Sequence, residues 1–148
     1  MLNTPTLKNI VFYADDDVDD LELVQDAFDR YTNNVEVVTA KDGVQALSYL
    51  SSINDHTPTP CLIILDINMP MLSGIDVLKK IKEMPAVASV PVILFTTSSS
   101  NLDKDFAKRY NAGFVTKPLD ISQMEVITEL FVEHCSDEIK KNIRKRLQ

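Results

Sequence analysis

The stretch Leu62–Gly74, LIILDINMPMLSG, places four large aliphatic residues directly before an aspartate and a turn bearing Pro70 and Gly74. Four such residues with no polar partner suit a strand buried on both faces, and strands of that kind belong to parallel sheets covered by helices. The pattern recurs outward in both directions. Asn9–Ala14 (NIVFYA) and Val35–Ala40 (VEVVTA) come before it, and Val92–Phe95 (VILF) and the weaker Gly113–Thr116 (GFVT) after it. Each is a β-branched or aromatic run bounded by turn residues. Between them lie segments of helical spacing: Leu21, Val24, Phe28, Tyr31; Ala46, Leu47, Leu50, Ile53; Ile75, Leu78, Ile81; Leu102, Phe106, Tyr110; and Ile121, Met124, Ile127, Leu130, Phe131. Strict alternation of strand and helix predicts an α/β fold, a doubly wound five-stranded parallel sheet in a three-layer sandwich.

A length of 148 residues suits one such domain, and 45% hydrophobic with 25% charged residues excludes disordered, collagenous and coiled-coil classes. No apolar run approaches the roughly 18 residues that a membrane span needs. Cys61 and Cys135 have no metal-type spacing, so the expectation is reduced thiols in a cytoplasmic protein. The net charge is −7, yet Ser136–Gln148 holds five bases and two acids, so the rest carries −10. Such a body repels nucleic acid.

In doubly wound sheets ligands bind beyond the carboxyl ends of the strands. The first strand ends at Asp15 and Asp16, the third at Asp66, the fourth at Thr96, and the fifth is followed by Lys117 and Pro118. Three carboxylates sharing a crevice call for a cation, and hard oxygen donors with room for water suit Mg²⁺. An aspartate beside such a metal can attack phosphorus while metal and lysine neutralise charge on the transferred group. Asp17, Asp19 and Asp20, by contrast, read as acids that favour the start of the first helix. Ser98–Ser100 suits a loop feeding a helix N-terminus.

Asp15-Asp16, Leu65–Pro70 (LDINMP) through Gly74, Pro91–Thr96 (PVILFT) and Lys117-Pro118 together resemble the CheY-like receiver domains of two-component response regulators, over about Lys8 to His134. The resemblance implies the flavodoxin-like strand order 2-1-3-4-5. It implies that Asp66 accepts a phosphoryl group from a histidine kinase or histidine phosphotransfer protein. Asp16, Asp66 and the main-chain carbonyl of Asn68 would ligate Mg²⁺, with Asp15 holding metal-bound water. Lys117 would contact the phosphoryl group, Thr96 would swing toward it, and Phe114 would be the switch aromatic, lacking the hydroxyl of the tyrosine frequent there. Thr97 is larger than the usual alanine or glycine. A cis bond between Lys117 and Pro118 is expected on the same ground. The Thr-Thr-Ser run after the fourth strand resembles stand-alone regulators paired with phytochrome-type kinases.

The resulting layout is an N-terminal extension over 1–7, a receiver over 8–135 and a basic helical extension over 136–148. About 15 residues after the last core helix are too few for an output domain, so output is expected through protein contact or onward phosphotransfer, with a weak homodimer through the fourth helix, fifth strand and fifth helix. The tail spaces Ile139, Ile143 and Leu147 by four among bases, which reads as a continuation of the last helix with its basic face against the acidic body. The alternative is a docking element for an acidic partner or a membrane surface. His56 and His134 read as surface residues. The protein is not expected to be an enzyme beyond handling its own phosphoryl group. A haloacid-dehalogenase-type phosphatase needs an acid where Asn68 stands, an EF-hand needs the glycine that Asp20 replaces, and a flavin carrier needs a phosphate cradle where three aspartates stand.

Overall fold

The computed structural model describes residues 8–31 and 34–144. Strands β1 (Asn9–Ala14), β2 (Val35–Ala40), β3 (Leu62–Leu65), β4 (Val92–Thr96) and β5 (Gly113–Thr116) form one sheet in the order β2-β1-β3-β4-β5. Every pairing is parallel. The connecting helices are α1 (Val18–Ala27), α2 (Gly43–Ser51), α3 (Gly74–Lys82), α4 (Asn101–Arg109), α5 (Met124–Glu133) and α6 (Asp137–Arg144). The expected architecture is therefore present.

Alternation along the strands divides the core into two layers. Val11, Tyr13, Leu62, Ile64, Ile93 and Phe95 face α1 and α5, meeting Leu21, Val24, Ile127 and Phe131. Phe12, Ala14, Ile63, Leu65 and Leu94 face the other way, onto Ala46, Leu50, Val77, Leu78, Ile81 and Ala107. All four residues of β3 are buried, as a central strand covered on both sides requires. Helix starts follow local chemistry: Asp17, Asp42, Ser73 and Ser100 cap α1, α2, α3 and α4 with side-chain oxygens. Ser73 and Asp76 make a reciprocal capping box.

The helical segments are present, with two of them less covered than their spacing suggests, and the reading of the tail needs correction. In α4 only Ala107 is buried, while Leu102 is 66% exposed, so its periodicity marks a half-covered helix whose Phe106 and Tyr110 stack on each other. Likewise Ile121 lies in an exposed turn ahead of α5, and Leu130 is exposed on it. The tail is not a continuation of α5. The chain breaks over His134–Ser136, and α6 folds back until Ile143 is fully buried against the α1/α5 layer. Asn34 Nδ2 donates to the Ile143 carbonyl at 3.0 Å, and Arg144 reaches Glu129 at 3.1 Å and Glu133 at 3.5 Å. Leu147 lies outside the described residues.

The two cysteines are free thiols and meet in the α1/α5 layer, Cys61 at the start of β3 and Cys135 after α5. Hydrogen bonding between them lowers the Cys61 thiol's pKa and, with burial, raises that of Cys135. Among the described residues no helix is long and apolar enough to cross a membrane.

Candidate functional site

The carboxyl ends of β1, β3, β4 and β5 bring the expected residues to one rim. Asp15 is fully buried, and its carboxylate has three donors: the Asp17 backbone N–H at 2.9 Å, Lys117 Nζ at 2.7 Å, and the Tyr13 hydroxyl from below. Asp16 beside it is exposed. One carboxylate oxygen each from Asp15, Asp16 and Asp66 lie within 4.8 Å of one another.

Asp66 extends the β3 ladder through its N–H to the Ala14 carbonyl at 3.0 Å, which fixes its backbone against β1. Burial first, and then the neighbouring Asp15, push its carboxyl up to about 6, against the opposing pull of Lys117 and the Asn68 backbone N–H. Asn68, two residues on, is exposed. The loop between them and α3 is pinned by the Gly74 N–H donating to the Ile67 carbonyl at 2.9 Å. Met71 takes a positive φ of 68° there.

Lys117 Nζ lies 2.7 Å from Asp15, 2.7 Å from Asp20 and 3.6 Å from Asp66. Burial alone would disfavour its charge, but hydrogen bonds to Asp15 and Asp20 outweigh that and hold the ammonium protonated well above the usual lysine range. Its backbone N–H donates to the Thr96 carbonyl at 2.7 Å, so β4 carries β5 into place. Thr96 is fully buried, and its Oγ1 accepts from the Ser98 N–H at 3.2 Å. Phe114 pairs with Leu94 across β4 and is only partly buried, with Lys104 over its ring at 6.0 Å. Thr97 is exposed.

The Lys117–Pro118 peptide bond is trans, against the cis expectation. A trans bond is the lower-energy form even before proline. Past Pro118, Asp120 caps the short turn Ile121–Gln123 that leads into α5. Asp17 does cap α1, as expected of a helix-start acid. Asp20 does not fit that description, because its carboxylate points at Lys117. Tyr13 also escaped the sequence reading, since it counts equally well as a core strand residue. A polar-tipped ring two residues before a buried aspartate, on the same face of the strand, was the available signal. His56 and His134 are exposed, and His134 Nδ1 contacts the Leu130 carbonyl at 3.0 Å.

The donor set suits a hard divalent cation. Among the described residues Asp15, Asp20 and Asp66 share the Lys117 ammonium, and Asp16 adds a fourth carboxylate beside Asp15 and Asp66, so the acids outnumber the one cation that meets them. A parallel 2-1-3-4-5 sheet with this rim defines a signalling receiver module, built to hold a charged group at the carboxyl ends of its strands. Residues 11–129 match the response regulator receiver domain, and the chain belongs to that family.

The response regulator Rcp1 of Synechocystis sp. is 32% identical over 96 residues, which are 64% of this chain and 65% of Rcp1. The two-component response regulator ARR17 of Arabidopsis thaliana is 33% identical over 126 residues, 78% of this chain and 79% of ARR17. Among solved structures, the phosphorylated cyanobacterial phytochrome response regulator RcpA is 29% identical with a TM-score of 0.78, covering 88% of this chain and 98% of RcpA. The Mn²⁺-bound form of Rcp1 is 26% identical with a TM-score of 0.75, covering 86% and 97%.

Proposed function

We propose that this receiver takes a phosphoryl group onto Asp66 from the imidazole of a histidine kinase or histidine phosphotransfer protein. The observation that carries the reading is the Lys117 ammonium, 2.7 Å from Asp15 and 3.6 Å from Asp66, above carboxylates on two adjacent strands. In the transfer a carboxylate oxygen of Asp66 forms the new O–P bond as the P–N bond to the donor histidine breaks, leaving an acyl phosphate. Lys117 supplies a fixed positive charge for the phosphoryl oxygens. Asp15, Asp16, Asp66 and the main chain of Asn68 would hold Mg²⁺, which supplies charge neutralisation when bound. RcpA is known in a phosphorylated form and Rcp1 in an Mn²⁺-bound form, which supports both halves of the reading.

The signal then leaves through Thr96 and Phe114. Phosphate adds charge and acceptor oxygens that can draw the Thr96 hydroxyl away from the Ser98 N–H. Phe114, half-buried and without a hydroxyl, can respond only by burying its ring, which changes the surface of α4, β5 and α5. That surface is where a protein partner or a second copy would bind. The working layout is a cytoplasmic receiver over 8–135, with 1–7 and 136–148 as extensions.

Incubation with acetyl phosphate and Mg²⁺ should add one phosphoryl mass, and chelation should prevent it. Equal labelling of Asp66→Asn refutes the acceptor assignment. Thr96→Ala should still be labelled, yet dimerise or bind its partner almost equally with and without phosphate.

A further inference from the structure

We propose that Asp20 is a positioning residue that holds the Lys117 ammonium back from Asp66 until phosphoryl transfer draws it across. The proposal rests on Asp66 being the acceptor, and it concerns the resting state of that same site.

The ammonium has three N–H groups and three carboxylates around it, but it is not shared equally. It sits 2.7 Å from Asp15 and from Asp20, and 3.6 Å from Asp66. The two near carboxylates differ in what they can give up. Asp15 has no exposure and is fixed by the Tyr13 hydroxyl and the Asp17 N–H, so it stays where it is. Asp20 lies on the first turn of α1, with 27% of its side chain exposed and Lys117 as its one side-chain partner among the described residues. A carboxylate at that depth is rehydrated cheaply when its partner leaves, whereas a fully buried one is not.

When phosphate on Asp66 competes for the ammonium, the bond that yields is therefore the one to Asp20. Lysine suits this exchange because its charge sits on a flexible stem with three rotatable donors. Among the described residues the same contact is the ammonium's only tie to a helix, since Asp15 and Asp66 follow strands β1 and β3. Phosphorylation would accordingly break the link between Lys117 and α1, while the Asp17 N–H keeps the start of the helix on Asp15.

Asp20→Asn keeps the shape and removes the charge. Asp19→Asn removes the same charge from the same exposed turn, where no contact with Lys117 exists. With acetyl phosphate and Mg²⁺, Asp20→Asn should raise the saturating rate of Asp66 phosphorylation about three- to tenfold, with little change in half-saturating donor concentration. Asp19→Asn should stay close to the parent, and Asp20→Glu should return the rate most of the way to it.

Side-chain ¹⁵N spectra of lysine-labelled, unmodified protein supply the independent readout. The Lys117 ammonium resonance should move in Asp20→Asn and not in Asp19→Asn. A rate for Asp20→Asn equal to that of Asp19→Asn, or below the parent's, overturns the proposal. So does an unmoved Lys117 resonance, even if the rate changes. If the parent itself takes no phosphoryl group on Asp66, the acceptor reading fails, and the ammonium spectra still decide whether Asp20 holds Lys117.

Discussion

A Cβ placed on Gly74 would lie 2.1 Å from the carbonyl oxygen of Asp66 and 3.0 Å from the Ile67 Cα. The start of α3 is thus pressed against the backbone of the candidate acceptor, and only a residue without a side chain permits it.

Gly74→Ala must push backbone against backbone. It should cost about 1–3 kcal/mol of stability, as overpacking does, and slow acetyl phosphate labelling of Asp66 by displacing its main chain. Gly113→Ala is the contrast, because its Cβ would meet the ring of His134, an exposed side chain that can turn away. Urea unfolding should show a loss below about 1 kcal/mol there, and the labelling rate should not change.

Asp66 gives a pH dependence of defined sign. Its carboxyl lies at about 6 in the fold against 3.8 ordinarily, so folding favours the protonated form. That contribution is complete below pH 3.8 and is lost as pH rises through about 6. In chelator, Asp66→Asn should therefore melt several degrees above the parent at pH 7.5, and the gap should close toward pH 4. Adding Mg²⁺ should raise the parent's Tm at pH 7.5 and leave the variant nearly where it was.

Removing the Tyr13 hydroxyl should separate stability from metal affinity. Tyr13→Phe leaves the buried Asp15 carboxylate one donor short, which should cost on the order of 1.5–3 kcal/mol in metal-free unfolding. The same carboxylate, with less of its charge neutralised, should hold Mg²⁺ more tightly by calorimetric titration. Unchanged affinity with reduced stability would mean that the hydroxyl serves the core alone.

The last helix should be held by burial more than by charge. Ile143→Ala removes a fully buried side chain and should cost at least about 2 kcal/mol or detach α6 locally, visible as faster amide exchange over Asp137–Arg144. Arg144→Ala breaks half-exposed pairs to Glu129 and Glu133 and should cost below about 1 kcal/mol. An order of effects reversed between the two would make α6 an electrostatic attachment.

Strand positions were legible because period-two burial and short apolar runs leave little choice, as LIIL illustrates. The rim residues followed from the strand ends. What stayed hidden depends on packing between distant segments. Asp20 and Lys117 are 97 positions apart, and nothing in the run Asp15–Asp20 says which acid turns inward until α1 is set against the sheet. In the tail, Ile139 and Ile143 fit a continued helix as well as a folded-back one. Burial of Ile143 in the α1/α5 layer and the Asn34 bond to its carbonyl decide between them, and both partners are distant in sequence. In α4, Leu102 and Phe106 keep helical spacing while Ala107 takes the contact, because the helix leans on its small side.

Strand β5 is four residues long and bonded to the sheet on one side only, yet it delivers Lys117. Among the described residues the site's one ammonium therefore follows an edge strand, while its carboxylates follow the interior strands β1 and β3 or sit on α1. Edge strands open more readily than central ones. A brief detachment of β5 would leave the acids assembled and mutually repelling, with most of the hydrophobic core still intact. Loss of acetyl phosphate labelling on heating should therefore precede the main melting transition of the domain.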